Sequence, residues 1–600
     1  MLLPHGDPRR ARAWRPVESG PHVVLFHGHL DNAATAAAEL GQPVPLPGDA
    51  AALARLYSAA LQAWGDATDR RLIGEYAVAV LDQSAGTLRL ARSPLRAPPL
   101  HYHAAPERVI ASTAVRAIFA CGVEQRLNDA KIADMAWFNA SNEARGWYVG
   151  VHRVPLGSVV MLGAGGREET RCFYDLDALP PAPRASRAEL VEQAQALLAE
   201  GTRAALAGSK RPAVMLSGGL DSTMVVTRVL DAVPGDAAIN TYTFVPAPDW
   251  DGHCNPGYYG TERPRVEALC AMHPRIMAHF EDNADAPFTD RLELLFHTIG
   301  GSPQGLANLG VYHRLWEAAR RDGCDRVLLG EFGNATASAD GSWAFSEYLA
   351  SFRWIQLYRA LRHSIDDHRS LLRRFLAMAV FPFLPERLWH WQRRVRGIDE
   401  LYGIVSPLRM DYAERTGVLE RARAVGLPVS RFPDRDRLSM IREIHANAWG
   451  EFSDLYSGFE QVYGMEQRDP TAYRPFFEFC AGLPSDMFLY DGQQRWLARE
   501  LLRGRVPEEQ RLSNLIGSHN ADWRTRLGAR RGEMLAELDR LEREPRLAEM
   551  FDFPRVRALL EDWPETTDIP IAEQVARAAA ISRAILFSRF VNYVEGRNLG

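Results

Sequence analysis

The sequence predicts an α/β protein in two parts. An antiparallel-sheet domain spans residues 1–180, and a larger domain with a mostly parallel sheet and a helical C-terminal portion spans 186–600. Three observations predict this. From Tyr76 the chain alternates short β-rich runs with tight turns, as in "EYAVAVLDQSAGTLRLARS". A boundary follows at Asp175–Glu189, marked by Pro180, Pro181 and Pro183. Beyond it, short apolar strands alternate with helices, the rhythm of a parallel sheet covered on both faces.

Within the first part, Val23–Phe26 reads as a strand, and Ala33–Leu40 and Ala50–Trp64 as helices. The second helix spaces Leu53, Leu56, Tyr57, Ala60 and Leu61 along one face. Two strand pairs follow in Tyr76–Ser93 and Leu100–Thr113, then strands at Trp147–Val151, Ser158–Leu162 and Cys172–Tyr174. In the second part the expected order is helix Glu189–Leu206, strand Ala213–Leu216, helix Ser222–Leu230 and strand Asn240–Phe244. Helix Arg263–Ala271, strand Arg275–Phe280, helix Val311–Arg321 and strand Arg326–Leu329 complete the alternation. From Ser346 the chain is mainly helical, ending in Ile571–Tyr593. Met272, Met277 and Met440 read as core filling. The Gly/Pro/aromatic-rich stretch Val245–Pro264 reads either as a lid or as a plain excursion.

Composition excludes several classes. With 46% apolar and 24% charged residues in 600, the chain has ample material for large cores. A formal charge of -5 argues against a nucleic-acid backbone as partner. The six cysteines form no CxxC pair, which disfavours a zinc ribbon, and Cys121 reads as a buried structural thiol. The first twenty residues lack an apolar signal core, and the most membrane-like run, Phe375–Leu384, falls well short of the ~20 residues that span a bilayer. No membrane insertion and a cytoplasmic location are expected. Of 70 basic residues only Lys131 and Lys210 are lysines, so chemistry that needs a lysine has two places to find one.

The chemical signal is strongest in "AVMLSGGLDST". A buried strand ending at Leu216 runs into Ser217-Gly218-Gly219, and a helix begins at Leu220 or Asp221. Paired glycines let backbone N–H groups converge on an anion beside a helix N-terminus. The hydroxyl of Ser217 or Ser222 can donate to the same oxygens. Asp221 would repel that anion unless a cation lay between, so it is a candidate magnesium ligand. The lysine of a Walker A loop is missing. A second buried strand ends at Gly330-Glu331, where ligand sites of α/β sheets gather. Glu331 is placed there as proton acceptor for an amine and Asn334 as a neutral metal ligand, while Thr243 and Gly330 complete the nucleotide-binding candidates.

Ser-Gly-Gly-Leu-Asp-Ser resembles the pyrophosphate loop of the N-type ATP pyrophosphatases, which implies ATP and Mg²⁺ as cofactors. The whole chain resembles the class B asparagine synthetase family, which carries Gly-Glu-Gly-Ser-Asp-Glu at the second strand end. Here Gly330 and Glu331 agree, Phe332 replaces Gly, Gly333 replaces Ser, Asn334 replaces the metal-binding Asp and Ala335 replaces Glu. "GNATAS" is most similar to the lasso-peptide macrolactam synthetases. Met465–Glu509 is similar to the family's C-terminal stretch, but "PEEQRLSNLIGS" lacks the lysine that follows it, leaving Arg495, Arg499 and Arg511 to offset phosphate charge.

"FHGHLDNAATAAAEL" is similar to the family's glutaminase segment, which implies an N-terminal-nucleophile-like sandwich. Such glutaminases begin at a cysteine, whereas this sequence opens Met1-Leu2-Leu3, so an inactive glutaminase domain is expected. The lasso resemblance implies adenylation of an Asp or Glu side chain of a ribosomally made precursor peptide, ring closure by its N-terminal amine, and release of AMP and pyrophosphate. A leader peptidase and a leader-recognition protein are the implied partners. The alternatives are an asparagine synthetase-like or β-lactam-forming ligase on a small carboxylate, or a non-catalytic peptide-binding scaffold.

Overall fold

The computed structural model describes residues 15–598 except 283, 285, 304, 365–368, 386, 389–390, 392–404, 425–434, 448, 519–520 and 567–568. Met1–Leu3 therefore lie outside the described residues. The first part contains β1 (Val17–Ser19), β2 (His22–Leu30), β3 (Gly74–Asp82), β4 (Thr87–Arg92), β5 (His101–Ala105), β6 (Arg108–Ser112), β7 (His152–Arg153), β8 (Ser158–Gly163) and β9 (Arg167–Cys172). Its main sheet is antiparallel in the order β1-β2-β3-β4-β8-β9, and a smaller sheet runs β6-β5-β7.

Alternation fixes the register. Along β2, Val24 and Phe26 point into the core while Leu25 is exposed, and the strand pairs with β3 from His22↔Asp82 to Leu30↔Gly74. The helix Ala50–Trp64 packs on this sheet, with Leu53, Leu56, Tyr57 and Ala60 buried, and starts where Asp49 accepts from the Ala52 N–H at 2.9 Å. The rings of Tyr57 and Tyr76 close against Phe26 at 6.1 and 5.6 Å.

Three expectations fail here for physical reasons. Trp147–Val151 is a turn, with Gly150 at φ 75° and the Val151 N–H donating to Tyr148 O, and the strand forms one step later as β7. The final strand is β9 rather than Cys172–Tyr174; every residue of "REETRC" is exposed, so no apolar alternation marks it. Cys121 is exposed where the helix Val115–Ala120 ends, not buried.

The second part begins with the helix Arg187–Leu206, opened by a reciprocal capping box between Ser186 and Glu189. It contains β10 (Pro212–Met215), β11 (Ile239–Phe244), β12 (Tyr258–Tyr259), β13 (Ile276–Glu281), β14 (Arg326–Leu328), β15 (Glu466–Arg468) and β16 (Ile516–Gly517). The five-stranded sheet is parallel in the order β13-β11-β10-β14-β15, so β10 is central and both neighbours end at the same edge. β15, three residues inside a helical region, was not expected; it pairs Arg326↔Glu466 to Leu328↔Arg468 and carries Asp469 to the end of β14. Met440 is buried, but Met272 and Met277 are exposed.

Val245–Pro264 is tied down rather than free. Asp522 accepts from the Ala247 N–H at 3.0 Å, Asp251 pairs with Arg524 at 3.3 Å, and β12 pairs with β16. Among the described residues, no helix is long and apolar enough to cross a membrane.

The two parts share a core and a buried ionic seam. One apolar cluster runs from Val24, Tyr57 and Tyr76 through Leu198 to Val214, Leu328 and Phe477. At the seam, the helix Trp449–Tyr463 presents Glu451 and Asp454 to the first part. Asp454 meets Arg92 at 3.2 Å and Arg153 at 3.1 Å; Glu451 meets Lys131 at 2.8 Å and Arg153 at 3.0 Å. Burial opposes ionisation of Glu451, but Arg153 and Lys131 outweigh it and hold the carboxyl well below the usual carboxylate range. Removing Asp454 leaves Arg92 buried without its ion-pair partner and Arg153 with Glu451 alone. Asp454→Ala should therefore cost about 3–5 kcal/mol, read as a lower urea midpoint by tryptophan fluorescence, and an unchanged midpoint would show the seam to be energetically idle.

Candidate functional site

At the end of β10 the chain turns through Leu216, Ser217, Gly218 and Gly219 into the helix Leu220–Ala232. The turn is braced from within. The Ser217 N–H donates to Ser222 Oγ at 2.9 Å, the two hydroxyl oxygens lie 2.9 Å apart, and Ser222 Oγ donates to Ser217 O at 3.1 Å. The Thr223 hydroxyl donates to Gly219 O at 2.6 Å. Leu216 is buried and its carbonyl accepts from the Thr243 hydroxyl at 2.8 Å, so Thr243 locks the loop to β11.

The two glycines serve different ends. Gly219 is the N-cap in an extended conformation (φ −81°, ψ 163°), which other residues also adopt. Gly218 is a packing requirement: a Cβ there would sit 2.7 Å from both Cβ and Cδ of Arg265. Its N–H donates to Glu262 Oε2 at 2.6 Å, and its carbonyl accepts from Gln510 Nε2 at 3.2 Å. A carboxylate thus already occupies one of the N–H groups expected to face phosphate.

Asp221, in the first turn of that helix, reaches across to the turn after β14. A Cβ on Gly330 would lie 2.8 Å from Asp221 O, and one on Gly333 would lie 2.0 Å from Asp221 Oδ1. Gly333 stands where the resembled family has serine; here the Asp221 carboxylate fills that space, and the Ser338 hydroxyl donates to it. Burial pushes Asp221 up to about 6, with Ser338 and Arg495 pulling the other way, so it is mostly ionised at neutrality. Asn334 is exposed on the same turn, one residue beyond the contact.

Glu331 opens this turn. Its side chain reaches solvent, yet protein crowds the recess around it, and that low-dielectric setting pushes the carboxyl up to about 8. Asp469 adds to the rise and Arg96, from the first part, opposes it. Asp469 is itself fixed: Oδ2 accepts from the Phe332 N–H at 3.1 Å, and Oδ1 from the Thr471 N–H at 2.8 Å and its hydroxyl at 2.6 Å.

The three arginines proposed for phosphate charge part company. Arg495, in the left-handed region at φ 55°, starts the helix Trp496–Leu501, and its charge acts on Asp221 and Tyr259. Arg499 and Arg511 are buried and turned into the protein. Arg499 donates to Gln494 O, Arg511 O and Asn514 Oδ1, while Arg511 donates to Glu508 and to Arg499 O. Their expected catalytic role gives way to a mutual brace, because these hydrogen bonds hold both guanidinium groups to protein oxygens.

Arg265, which the sequence does not single out, packs beside the loop. Its guanidinium lies 4.1 Å above the Tyr259 ring, donates to Ser513 Oγ at 2.7 Å, and its stem covers Gly218. Lys131 is held by Glu451 at the seam, and Lys210 is an exposed residue before β10. Among the described residues no group of three or more His, Cys, Asp and Glu side chains is placed to hold a metal. A single carboxylate, Asp221, suits Mg²⁺ that takes its remaining oxygens from phosphates and water.

Residues 193–582 match the family model of asparagine synthase, and residues 13–174 match that of a glutamine amidotransferase domain. The chain is similar to the amidase chyE of Penicillium rubens, 29% identical over 163 residues that cover 27% of this chain and 24% of the relative. It is also similar to the amidase chry2 of Gibberella zeae, 27% identical over 160 residues that cover 26% and 23%. The chain spans about a quarter of the length of these curated relatives. Among solved structures, it is similar to glutamine phosphoribosylpyrophosphate amidotransferase from B. subtilis complexed with ADP and GMP, at 10% identity and TM-score 0.19 over 46% of this chain and 65% of that one. The allosteric regulatory enzyme of purine biosynthesis matches at 12% identity and TM-score 0.20 over 53% and 62%. With the synthase model covering well over half of its length, from the helix that opens the parallel-sheet part into the last long helix, the chain belongs to the asparagine synthase family.

Proposed function

We propose that this ATP-dependent amide ligase is a lasso-peptide macrolactam synthetase, releasing AMP and pyrophosphate. The observation that carries the reading is the shared strand edge: Asp221 and the anion loop meet the Glu331 turn through Gly330 and Gly333. Activation and amine capture then share one recess. The Gly330–Ser338 segment, where the asparagine synthetase acids are replaced by Asn334 and Ala335, favours the peptide-cyclising branch.

In the first step an Asp or Glu side chain of the precursor peptide attacks the α-phosphorus of ATP. The bond to the β-phosphate oxygen breaks, and pyrophosphate leaves against the N-terminus of the helix Leu220–Ala232. Asp221, with Asn334 in the family's metal position, would hold Mg²⁺, which supplies charge neutralisation on the phosphates. Arg495 and Arg265 add fixed positive charge in place of the absent lysine. In the second step the peptide's N-terminal amine attacks the acyl carbon, the bond to the phosphate oxygen breaks, AMP departs, and Glu331 takes the proton. A tethered amine at high effective concentration outruns water. A leader peptidase and a leader-recognition protein in the cytoplasm would supply the trimmed peptide.

A second reading is an asparagine synthetase-like ligase acting on a small carboxylate, in line with the asparagine synthase match. Incubation with ATP, Mg²⁺ and aspartate, without peptide, separates the readings: robust AMP formation would reject the cyclase.

Asp221→Asn should reduce AMP formation with peptide by about 100-fold or more while leaving unfolding unchanged; parental turnover at limiting Mg²⁺ would remove Asp221 from the mechanism. Gly333→Ala should mimic it, because the new methyl displaces the Asp221 carboxylate. Glu331→Gln should still release pyrophosphate but accumulate adenylated peptide, seen by rapid-quench mass spectrometry. Ring closure should rise with pH as the Glu331 carboxyl, raised by its crowded setting, and the peptide's α-amine, with a pKa of about 7.7–8.0, each lose a proton, and the variant should keep only the amine's rise, at a lower rate.

A further inference from the structure

The helix Ala344–Ala350 ends in a complete C-terminal cap: the Arg353 N–H donates to Tyr348 O at 2.8 Å and the Phe352 N–H to Leu349 O at 3.2 Å. The residue that closes such a cap is left-handed, and glycine is its usual occupant. Here it is Phe352, at φ 56° and 75% exposed. An aromatic ring thus stands in solvent where the backbone itself favours no side chain. The helix Trp354–Arg362 follows and buries Leu357, Ala360 and Leu361 in a small core with Tyr348 and Ala379. Its opposite face leaves Trp354, Ile355 and Tyr358 exposed beside Arg359 and Arg362. The Arg374 guanidinium donates to Leu361 O at 2.7 Å, which fastens the helix Leu371–Arg374, with exposed Leu371, Leu372 and Arg373, to the end of this one.

We propose that the face built from Phe352 and the helix Trp354–Arg362 docks the protein on an anionic lipid bilayer. The aromatic and aliphatic side chains enter the headgroup boundary, and the arginines pair with lipid phosphate. Charge selects this occupant. Residues 352–376 hold six arginines against two aspartates, in a chain whose net charge is -5. Acids that pack against the face are already engaged: Asp486 meets Arg353 at 3.2 Å, and Asp491 meets His363 at 2.8 Å. A second copy of the chain meeting this face with its own would set arginine against arginine. A bound peptide would want two walls, whereas the groove of about 390 Å³ here is lined by Trp354, Ile355, Tyr358, Arg359, Arg362 and His363, all from one helix and the residue that ends it. A bilayer surface needs only one wall. The helix has nine residues, far short of the ~20 that cross a membrane, so it lies along the surface and does not span it.

The test uses the full chain and no substrate. Protein is sedimented with vesicles of phosphatidylcholine alone or of phosphatidylcholine mixed with phosphatidylglycerol. Binding should require the anionic lipid and weaken in high salt. Phe352→Gly should bind the mixed vesicles severalfold more weakly yet melt no lower than the parent, because glycine suits the cap. Arg359→Gln combined with Arg362→Gln should weaken binding about tenfold. Failure of the parent to sediment with the mixed vesicles, or equal sedimentation with both kinds, would overturn the proposal. Parental binding by Phe352→Gly and by the double arginine variant would do the same. Capture of polyglutamate without vesicle binding, lost in the double arginine variant, would also reject the bilayer and give the face to an acidic protein.

Discussion

The site depends on one close approach. Two neighbouring parallel strands, β10 and β14, end side by side, and the segments that leave them must share the space above the sheet edge. A helix N-terminus with an acidic residue comes after the first, and a tight turn after the second. They interlock only because Gly330 and Gly333 present no Cβ to Asp221. The geometry of the candidate site is thus set by what is missing from two residues. Parallel pairing fixes where the strands end, and the glycines let the two loops meet.

Legibility followed the range of the interactions. The turn from β10 into the helix Leu220–Ala232 was readable because a buried strand, paired glycines and a helix start are consecutive in the chain. The helix Ala50–Trp64 was readable because its buried face repeats within its own length. β15 was not: three residues carry no periodicity, and only pairing with β14 makes them a strand. The same holds for Asp469, Arg265 and Arg96, whose partners are distant in sequence. Arg499 and Arg511 stand close to a motif, but closeness along the chain does not say which way a guanidinium points. Cys121 shows the converse error, since an apolar neighbourhood in sequence need not be a buried one.

Near-absence of lysine gives arginine most of the cationic work. Arg92, Arg153, Arg468, Arg474 and Arg499 are all buried, and each spreads its donors over carbonyls or carboxylates from other segments. The planar fork suits this use, because several acceptors are satisfied at fixed angles by one group. Arg468 donates to Asp31 at 2.6 Å and Arg474 to the carbonyl of Leu72 at 2.9 Å, so the C-terminal helical portion grips the first sheet through side chains as well as through the apolar core.

The contact between Glu262 and the Gly218 N–H carries a thermodynamic consequence. One N–H of the loop is already satisfied by an anion of the protein's own. On the proposed reading, a phosphate arriving at that N–H would have to evict a tethered competitor, so its affinity would be the difference between two anions rather than the strength of either. The same exchange would run in reverse as pyrophosphate departed. A resident carboxylate that reclaimed the N–H would leave no unpaired donor behind, so the loop would keep its shape between turnovers and product release would not cost a buried hydrogen bond.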